Sequence, residues 1–154
     1  MLTGFSQTKN YFEFILADPD PDRVAQISKE FAPKFQCTVT QDNQTAVDRS
    51  ELIILAVRPD HMNAALAGLK FKPGQLVASV VAGASLSLLG GLVSPAKPIR
   101  VLPISCVAIN KSPILVFPGN LPVQTLVSLL GQVHVLPDEK TFTPGTALVG
   151  AFYA

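Results

Sequence analysis

Charge is scarce in this sequence. Of its 154 residues, 15% are Asp, Glu, Lys or Arg, where a soluble domain carries roughly 25%. The 48% hydrophobic content excludes a disordered chain, which is charge-rich and poor in apolar residues. A formal net charge of +1, with no cluster of Lys or Arg, leaves no electrostatic footprint for nucleic acid. Cysteine is nearly absent: Cys37 and Cys106 lie far apart with no C-x-x-C spacing, which reads as two reduced buried thiols in a cytoplasmic protein. His61 and His134 are isolated, so no metal-ligand spacing exists. No basic segment followed by an apolar run opens the chain, so no signal peptide is read there.

Two long stretches carry no charge at all, Pro73–Ala96 and Ser112–Pro137. Both exceed the roughly 20 residues that span a bilayer. Neither reads as one helix. Leu76–Val81 is a buried strand, Ala82-Gly83-Ala84-Ser85 a tight turn, and Leu86–Leu92 a short helix. The second stretch is broken by Pro113, Pro118, Gly119, Pro122 and Gly131. A membrane span is therefore not expected.

What is present is an alternation of strands and helices. Phe14–Ala17 reads as a strand, and Asp18-Pro19-Asp20-Pro21 turns the chain. Asp20 is placed as N-cap and Pro21 in the first turn of a helix with Val24, Ile27, Ser28 and Phe31 on one face, stopping at Pro33. Cys37–Thr40 is a short polar strand and Asn43–Asp48 a short helix. The apolar run Glu51–Val57 is the type of strand buried on both faces of a parallel sheet. A helix follows from Arg58-Pro59-Asp60 to about Leu69, then a strand over Leu76–Val81 and a helix capped by Ser85 through Val93. Strands over Ile99–Leu102 and Ile114–Phe117, a helix over Leu121–Gln132, a last strand over Val133–Leu136 and a helix beginning near Asp138 complete the pattern. The fold class is α/β, with a mainly parallel sheet and helices on both faces.

Ligands of such sheets bind beyond the carboxyl ends of the strands. Those ends are Asp18-Pro19, Ala56-Val57-Arg58-Pro59, Ala82-Gly83-Ala84-Ser85 and Pro103-Ile104-Ser105-Cys106. Ala56, Ala82 and Gly83 are small enough to let a flat ligand approach the backbone, or they serve only tight helix packing. Asp18 stands where dinucleotide sites place a ribose-binding carboxylate, or it starts a turn.

The order of segments resembles the NADP-binding domain of the pyrroline-5-carboxylate reductase family. The phrases that carry the resemblance are Ala17-Asp18-Pro19-Asp20 with Arg23, Leu55-Ala56-Val57-Arg58-Pro59, Val81-Ala82-Gly83-Ala84-Ser85-Leu86, Arg100-Val101-Leu102-Pro103, and Asp138-Glu139 with Thr146-Ala147-Leu148. The resemblance implies a Rossmann-like fold, NADP or NAD as cofactor, and hydride transfer to the C=N carbon of a small cyclic imine in proline biosynthesis. It implies a cytoplasmic homo-oligomer, with no nucleic-acid or membrane partner. It places Asp18, Ala56, Val57, Arg58, Pro59, Ala82 and Gly83 against the cofactor and Pro103, Ile104 and Ser105 near substrate. Arg58 stands where the family has Lys. Arg23 could contact a 2′-phosphate or lie on the helix surface, while a carboxylate at Asp18 would repel that phosphate.

The departures are as informative. The family's Asn-Thr-Pro is here Ile104-Ser105-Cys106, so an amide beside the nicotinamide becomes apolar, and neither Ser105 nor Cys106 has a neighbouring base that would make it catalytic. The family's Ser-Gly-Ser-Gly-Pro is reduced to Val149-Gly150-Ala151. No G-x-G-x-x-G occurs, and Met1–Thr8 corresponds to the end of the helix after that turn. Residues 1–137 thus read as an incomplete dinucleotide-binding domain without its first strand, and 138–154 as the start of a helix leading to an absent dimerisation domain. Removing a strand from the middle of the sheet leaves a gap of roughly 10 Å, two strand spacings, so either the sequence is part of a longer product or another segment fills the gap. Two other readings remain: a non-catalytic nucleotide-binding or interaction protein, and a β-hydroxyacid dehydrogenase, whose catalytic Lys on a later helix has no counterpart here. The charge deficit then follows from a sheet covered on both faces, with the uncharged stretch Thr141–Ala154 packed against a second domain or subunit.

Overall fold

The structure is a computed structural model that describes residues 1–8, 13–34, 36–142 and 144. Helix α1 (Leu2–Phe5) is followed by strand β1 (Glu13–Ala17), α2 (Pro21–Phe31), β2 (Gln36–Thr40), α3 (Asn43–Asp48) and β3 (Leu52–Leu55). Then come α4 (Met62–Leu66), β4 (Leu76–Ser79), α5 (Leu86–Val93), β5 (Lys97–Leu102), β6 (Ser112–Phe117), α6 (Leu121–Ser128) and β7 (Gly131–Val135). Short 3₁₀ helices occupy Pro59–His61, Ser105–Ile109 and Glu139–Thr141.

Local chemistry sets several boundaries. The Asp20 carboxylate accepts from the Asp22 and Arg23 N–H groups at the start of α2, with Pro21 in the first turn. Asp42 caps α3 in the same way through Gln44 and Thr45. Ser85 accepts from Leu88 N–H and starts α5. The helix expected from Pro59 to Leu69 is instead a 3₁₀ turn and a five-residue α4. Gly68, at φ +75°, is in the left-handed region, and the chain has left the helix by Ala67. Helix α6 ends at Ser128, short of the expected Gln132, because Gly131 already begins β7.

The strands form two sheets. β1 and β2 pair in parallel, and β3-β4-β5-β6-β7 form the second sheet in that order. Every pairing is parallel except β5 with β6. Helices cover both faces of the larger sheet. Val47 of α3, Met62 and Leu66 of α4, and Leu89 and Val93 of α5 share one core cluster with Leu55 and Val77. Phe5 of α1, Val107 and the α6 residues Val123 and Val127 share another with Ile99, Val101, Ile114 and Val116. This is a Rossmann-like α/β fold.

One expectation is corrected. The run Glu51–Val57 reads as a strand buried on both faces, but only Leu52–Leu55 is strand, and only Leu55 of these is buried. The reason is its position: among the described strands β3 pairs with β4 alone, and its other edge faces a cavity. By contrast Val77, Ala78 and Ser79 of β4, which has a strand on each side, are all buried.

Candidate functional site

The parallel arrangement brings the carboxyl ends of β1, β3, β4 and β5 to one crest. Asp18 follows β1, Ala56–Pro59 follow β3, Ala82 and Gly83 follow β4 by a short link, and Pro103 and Ile104 follow β5. Small residues keep this crest open. Ala56, Ala82 and Gly83 are exposed. Gly83 has φ +76° and nothing within 4 Å of where a Cβ would stand, so the backbone there is bare to a ligand.

Asp18 starts the turn after β1, as one of its two readings has it. Its Oδ1 accepts from the Asp20 N–H at 3.0 Å, which shapes the turn. Its Oδ2 lies 3.7 Å from the Nε of Arg23, whose side chain is 67% exposed. The guanidinium therefore offsets the carboxylate at this end of the crest, and its remaining donors reach solvent. Arg58 is an exposed side chain held by Asp60, with its Nε 3.1 Å from Oδ1 and its Nη2 3.0 Å from Oδ2. Val57 is half-buried and packs on the α4–α5 side of the sheet, and Pro59 opens the 3₁₀ turn.

The loop after β5 is fixed from beneath. The Ser112 hydroxyl, wholly buried, accepts from the Ile104 N–H at 3.1 Å and donates to the Pro113 carbonyl at 2.8 Å. Pro103 and Ile104 are half-buried, and Ser105 begins the 3₁₀ helix that runs to Ile109. Cys106 is half-buried in that helix and is not bridged to Cys37. Burial pushes the Cys37 thiol up from its ordinary value, so it stays protonated at neutral pH.

A cluster that sequence reasoning did not anticipate closes the far side of the crest. Glu139 Oε1 accepts from the Leu86 N–H of α5 at 2.7 Å and from Arg100 Nη1 at 2.9 Å. The Arg100 guanidinium sits 4.2 Å from the centroid of the Phe142 ring. A carboxylate at a helix N-terminus is favoured by the free N–H groups there. The signal in sequence was weak: Arg100 and Glu139 are 39 residues apart. The phrases Thr146-Ala147-Leu148 and Val149-Gly150-Ala151 lie outside the described residues. Among the described residues no group of three or more His, Cys, Asp or Glu could hold a metal ion, and no helix is long and apolar enough to cross a membrane.

The crest presents small residues and bare backbone where a planar ring would lie, and a paired acid and base at its β1 end. Those features fit the two ends of a dinucleotide. A backbone cradle for the pyrophosphate between them is not formed by the described residues: the place for it, between Ala17 and Ala56, opens into the cavity.

Solved structures of reductases share this fold. A 1-pyrroline-5-carboxylate reductase from Streptococcus pyogenes is 25% identical, with a TM-score of 0.80, over 96% of this chain and 56% of its own. A pyrroline carboxylate reductase from Plasmodium falciparum, solved with NADP bound, is 16% identical with a TM-score of 0.72 over 98% of this chain and 59% of its own. A reductive aminase from Aspergillus terreus, solved with NADPH and ethyl-5-oxohexanoate, is 14% identical with a TM-score of 0.72 over 98% and 56%. The chain thus spans little more than half the length of these proteins. No curated protein sequence matches it. The resemblance to the NADP-binding domain of the pyrroline-5-carboxylate reductases holds. The profile described as NADP oxidoreductase, coenzyme F420-dependent, matches residues 1–83, more than half of the sequence, and the chain belongs to that family of oxidoreductases.

Proposed function

We propose that this chain is the nucleotide-binding part of an NADP(H)-dependent reductase whose substrate is a small cyclic imine. The observation that carries this reading is that Ala56–Pro59, Ala82–Gly83 and Pro103–Ser105 follow neighbouring parallel strands of one sheet, with Asp18 at the same end of β1 across the cavity. Arg23, beside Asp18 and open to solvent, favours the 2′-phosphorylated cofactor over NAD. Ala56, Ala82 and Gly83 would lie beside the nicotinamide half, and Pro103, Ile104 and Ser105 near substrate. The cofactor supplies a hydride when bound. The chain's own share is to orient the ring, and the loop held by Ser112 supplies the wall of the substrate side.

The finer consequences belong to the same reading. The protein acts in proline biosynthesis as a cytoplasmic homo-oligomer. Residues 1–137 are the nucleotide domain, and Glu139 anchors the segment just after it to α5.

Titration of NADPH against the protein, read by nicotinamide fluorescence, tests the proposal. The Ala82→Glu variant, at an exposed position, should weaken binding by about tenfold or more without changing the circular dichroism. Absence of binding, or binding indifferent to Ala82→Glu, overturns the reading.

One observation favours a second reading, a nucleotide-binding protein without catalysis. Ile104 places an apolar side chain where the related reductases have Asn. Under that reading NADPH binds but is not oxidised by cyclic imines, and the Ile104→Asn variant fails to restore turnover.

A further inference from the structure

The turn from Ala82 to Ser85 presents the exposed Ala82 and Gly83, and it is tied down on either side. On the β4 side the buried Ser79 hydroxyl accepts from the Val81 N–H at 3.3 Å. On the α5 side the first turn of the helix has two acceptors. The Ser85 hydroxyl takes the Leu88 N–H at 3.2 Å. Glu139 Oε1 takes the Leu86 N–H at 2.7 Å, from 53 residues away in sequence.

The two bonds differ in reach. The Ser85 cap lies within the turn, so it shapes the start of α5 and moves with it. Leu89 and Val93 pack α5 on the sheet by apolar contact, which is not directional. The Glu139 bond is directional and leads out of the helix. The same oxygen accepts from Arg100 Nη1 at 2.9 Å. Arg100 stands on β5, in register with Ser79 of β4. One carboxylate oxygen thus joins the helix after the turn to the strand beside the one that precedes it.

The surroundings strengthen this joint. The Arg100 side chain is 13% exposed, and its guanidinium carbon lies 4.2 Å from the Phe142 ring centroid. A partly buried pair is screened less than a surface one, and removing one partner leaves the other charge short of solvent. The exposed pairs Arg58–Asp60 and Arg49–Glu13 have no such cover. Asp138, beside Glu139, accepts from both the N–H and the hydroxyl of Thr141, which fixes the 3₁₀ turn that carries Glu139.

We infer that Glu139, acting through Leu86 and Arg100, is a positioning residue for the nicotinamide half of the cofactor. It sets where the Ala82–Gly83 backbone stands relative to β5, and it acts on the cofactor through that backbone. The inference rests on the cofactor reading given above. Linkage makes the effect reciprocal: whatever the joint adds to cofactor affinity, bound cofactor adds to the hold on Glu139.

The experiment titrates two ligands against this chain and two variants of it. NADPH spans the crest, whereas adenosine 2′,5′-bisphosphate carries only the end that Asp18 and Arg23 would meet. Glu139→Ala removes both bonds and should weaken NADPH by about tenfold or more, with adenosine 2′,5′-bisphosphate bound as before. Glu139→Gln keeps an acceptor for Leu86 and loses the charge facing Arg100, so its loss should be smaller. In the unaltered chain NADPH should slow amide exchange at Phe142, whose N–H bonds to the Glu139 carbonyl, by about tenfold. Adenosine 2′,5′-bisphosphate should not. The exchange measurement needs no variant, so it decides even where Glu139→Ala fails to fold. Equal weakening of both ligands would show that Glu139 only supports the domain, and overturns the inference. Exchange at Phe142 that is indifferent to NADPH does the same. An unaltered chain that binds no NADPH sinks the cofactor reading and this inference together. NADPH binding that ignores both variants sinks this inference alone.

Discussion

Two parts of the molecule use strands of similar composition to different ends. In the β4–β7 region, Val77, Ala78, Ile99, Val101, Ile114 and Val116 are buried. In the β1–β3 region, Phe14, Ile15, Leu16, Leu52, Ile53 and Ile54 are all only half-buried. Leu52-Ile53-Ile54-Leu55 is at least as apolar as Leu76-Val77-Ala78-Ser79. The difference lies in what flanks each strand. Among the described strands, β4 and β6 each have a strand on both sides, while β1 and β3 have one apiece. Burial of a strand is thus set by its neighbours across both edges and both faces, and its own composition only makes burial favourable.

That contrast can be broken most severely at the packed end. Gly131 has φ +148°, and a Cβ there would collide with the Ser112 carbonyl oxygen. Gly131→Ala should cost about 3 kcal/mol or more, as backbone strain and overpacking add, seen as a lowered denaturation midpoint. An equally stable variant would mean that β6 and β7 are not held as tightly as described.

Paired truncations measure the contrast itself. Ile114→Ala, at a fully buried position, should cost about 2–5 kcal/mol. Ile15→Ala, at a half-buried position on β1, should cost about half of that or less. Equal losses in urea unfolding would erase the distinction between the two regions.

Polar anchoring is next in size. Ser112→Ala removes the hydroxyl that accepts from Ile104 N–H, and should cost about 1–2 kcal/mol. Faster amide exchange at Ile104, with β1 unaffected, would confirm that the loss is local to the crest.

The smallest effect should make the two regions alike. Asp42 near β2 and Asp138 after β7 are both held below their ordinary carboxylate pKa, chiefly by the hydroxyls of Thr45 and Thr141 respectively. A depressed folded-state pKa adds stability that is present above the unfolded value of 3.8 and is lost as pH falls through the folded value. Asp42→Ala and Asp138→Ala should each flatten the acid limb of the stability curve below that pH. Both groups are fully exposed, so both changes should be slight and similar. A large loss for one alone would contradict the geometry.

Much of the fold was legible because local rules and tertiary structure agreed. Asp20 and Pro21 start α2 where capping chemistry puts them, and Asn43–Asp48 is helical over the expected span. Ser85 opens α5 as expected. Boundaries slipped where the deciding partner was distant. Helix α6 yields to β7 because Gly131 must meet Ser112 across the sheet. Of the candidate site, the strand ends could be named from sequence because a βα alternation dictates which end of each strand carries a ligand. The Glu139–Arg100–Phe142 cluster could not, since nothing local to Glu139 indicates that α5 and β5 meet it.

By itself the sequence determined the alternation of strands and helices, their caps, the parallel sheet and the missing glycine-rich turn, all of which rest on spacing within a few residues. The resemblance it carries also implied a gap beside β3, because the Rossmann order puts the absent strand in the middle of the sheet. Only the tertiary structure decided what the chain does with that gap. The sheet divides in two, keeps an apolar groove, and leaves the backbone of Leu52 and Ile54 facing it. The physical reason is that hydrogen bonding along a strand is satisfied between segments far apart in sequence, so no local pattern can reveal which edges remain open.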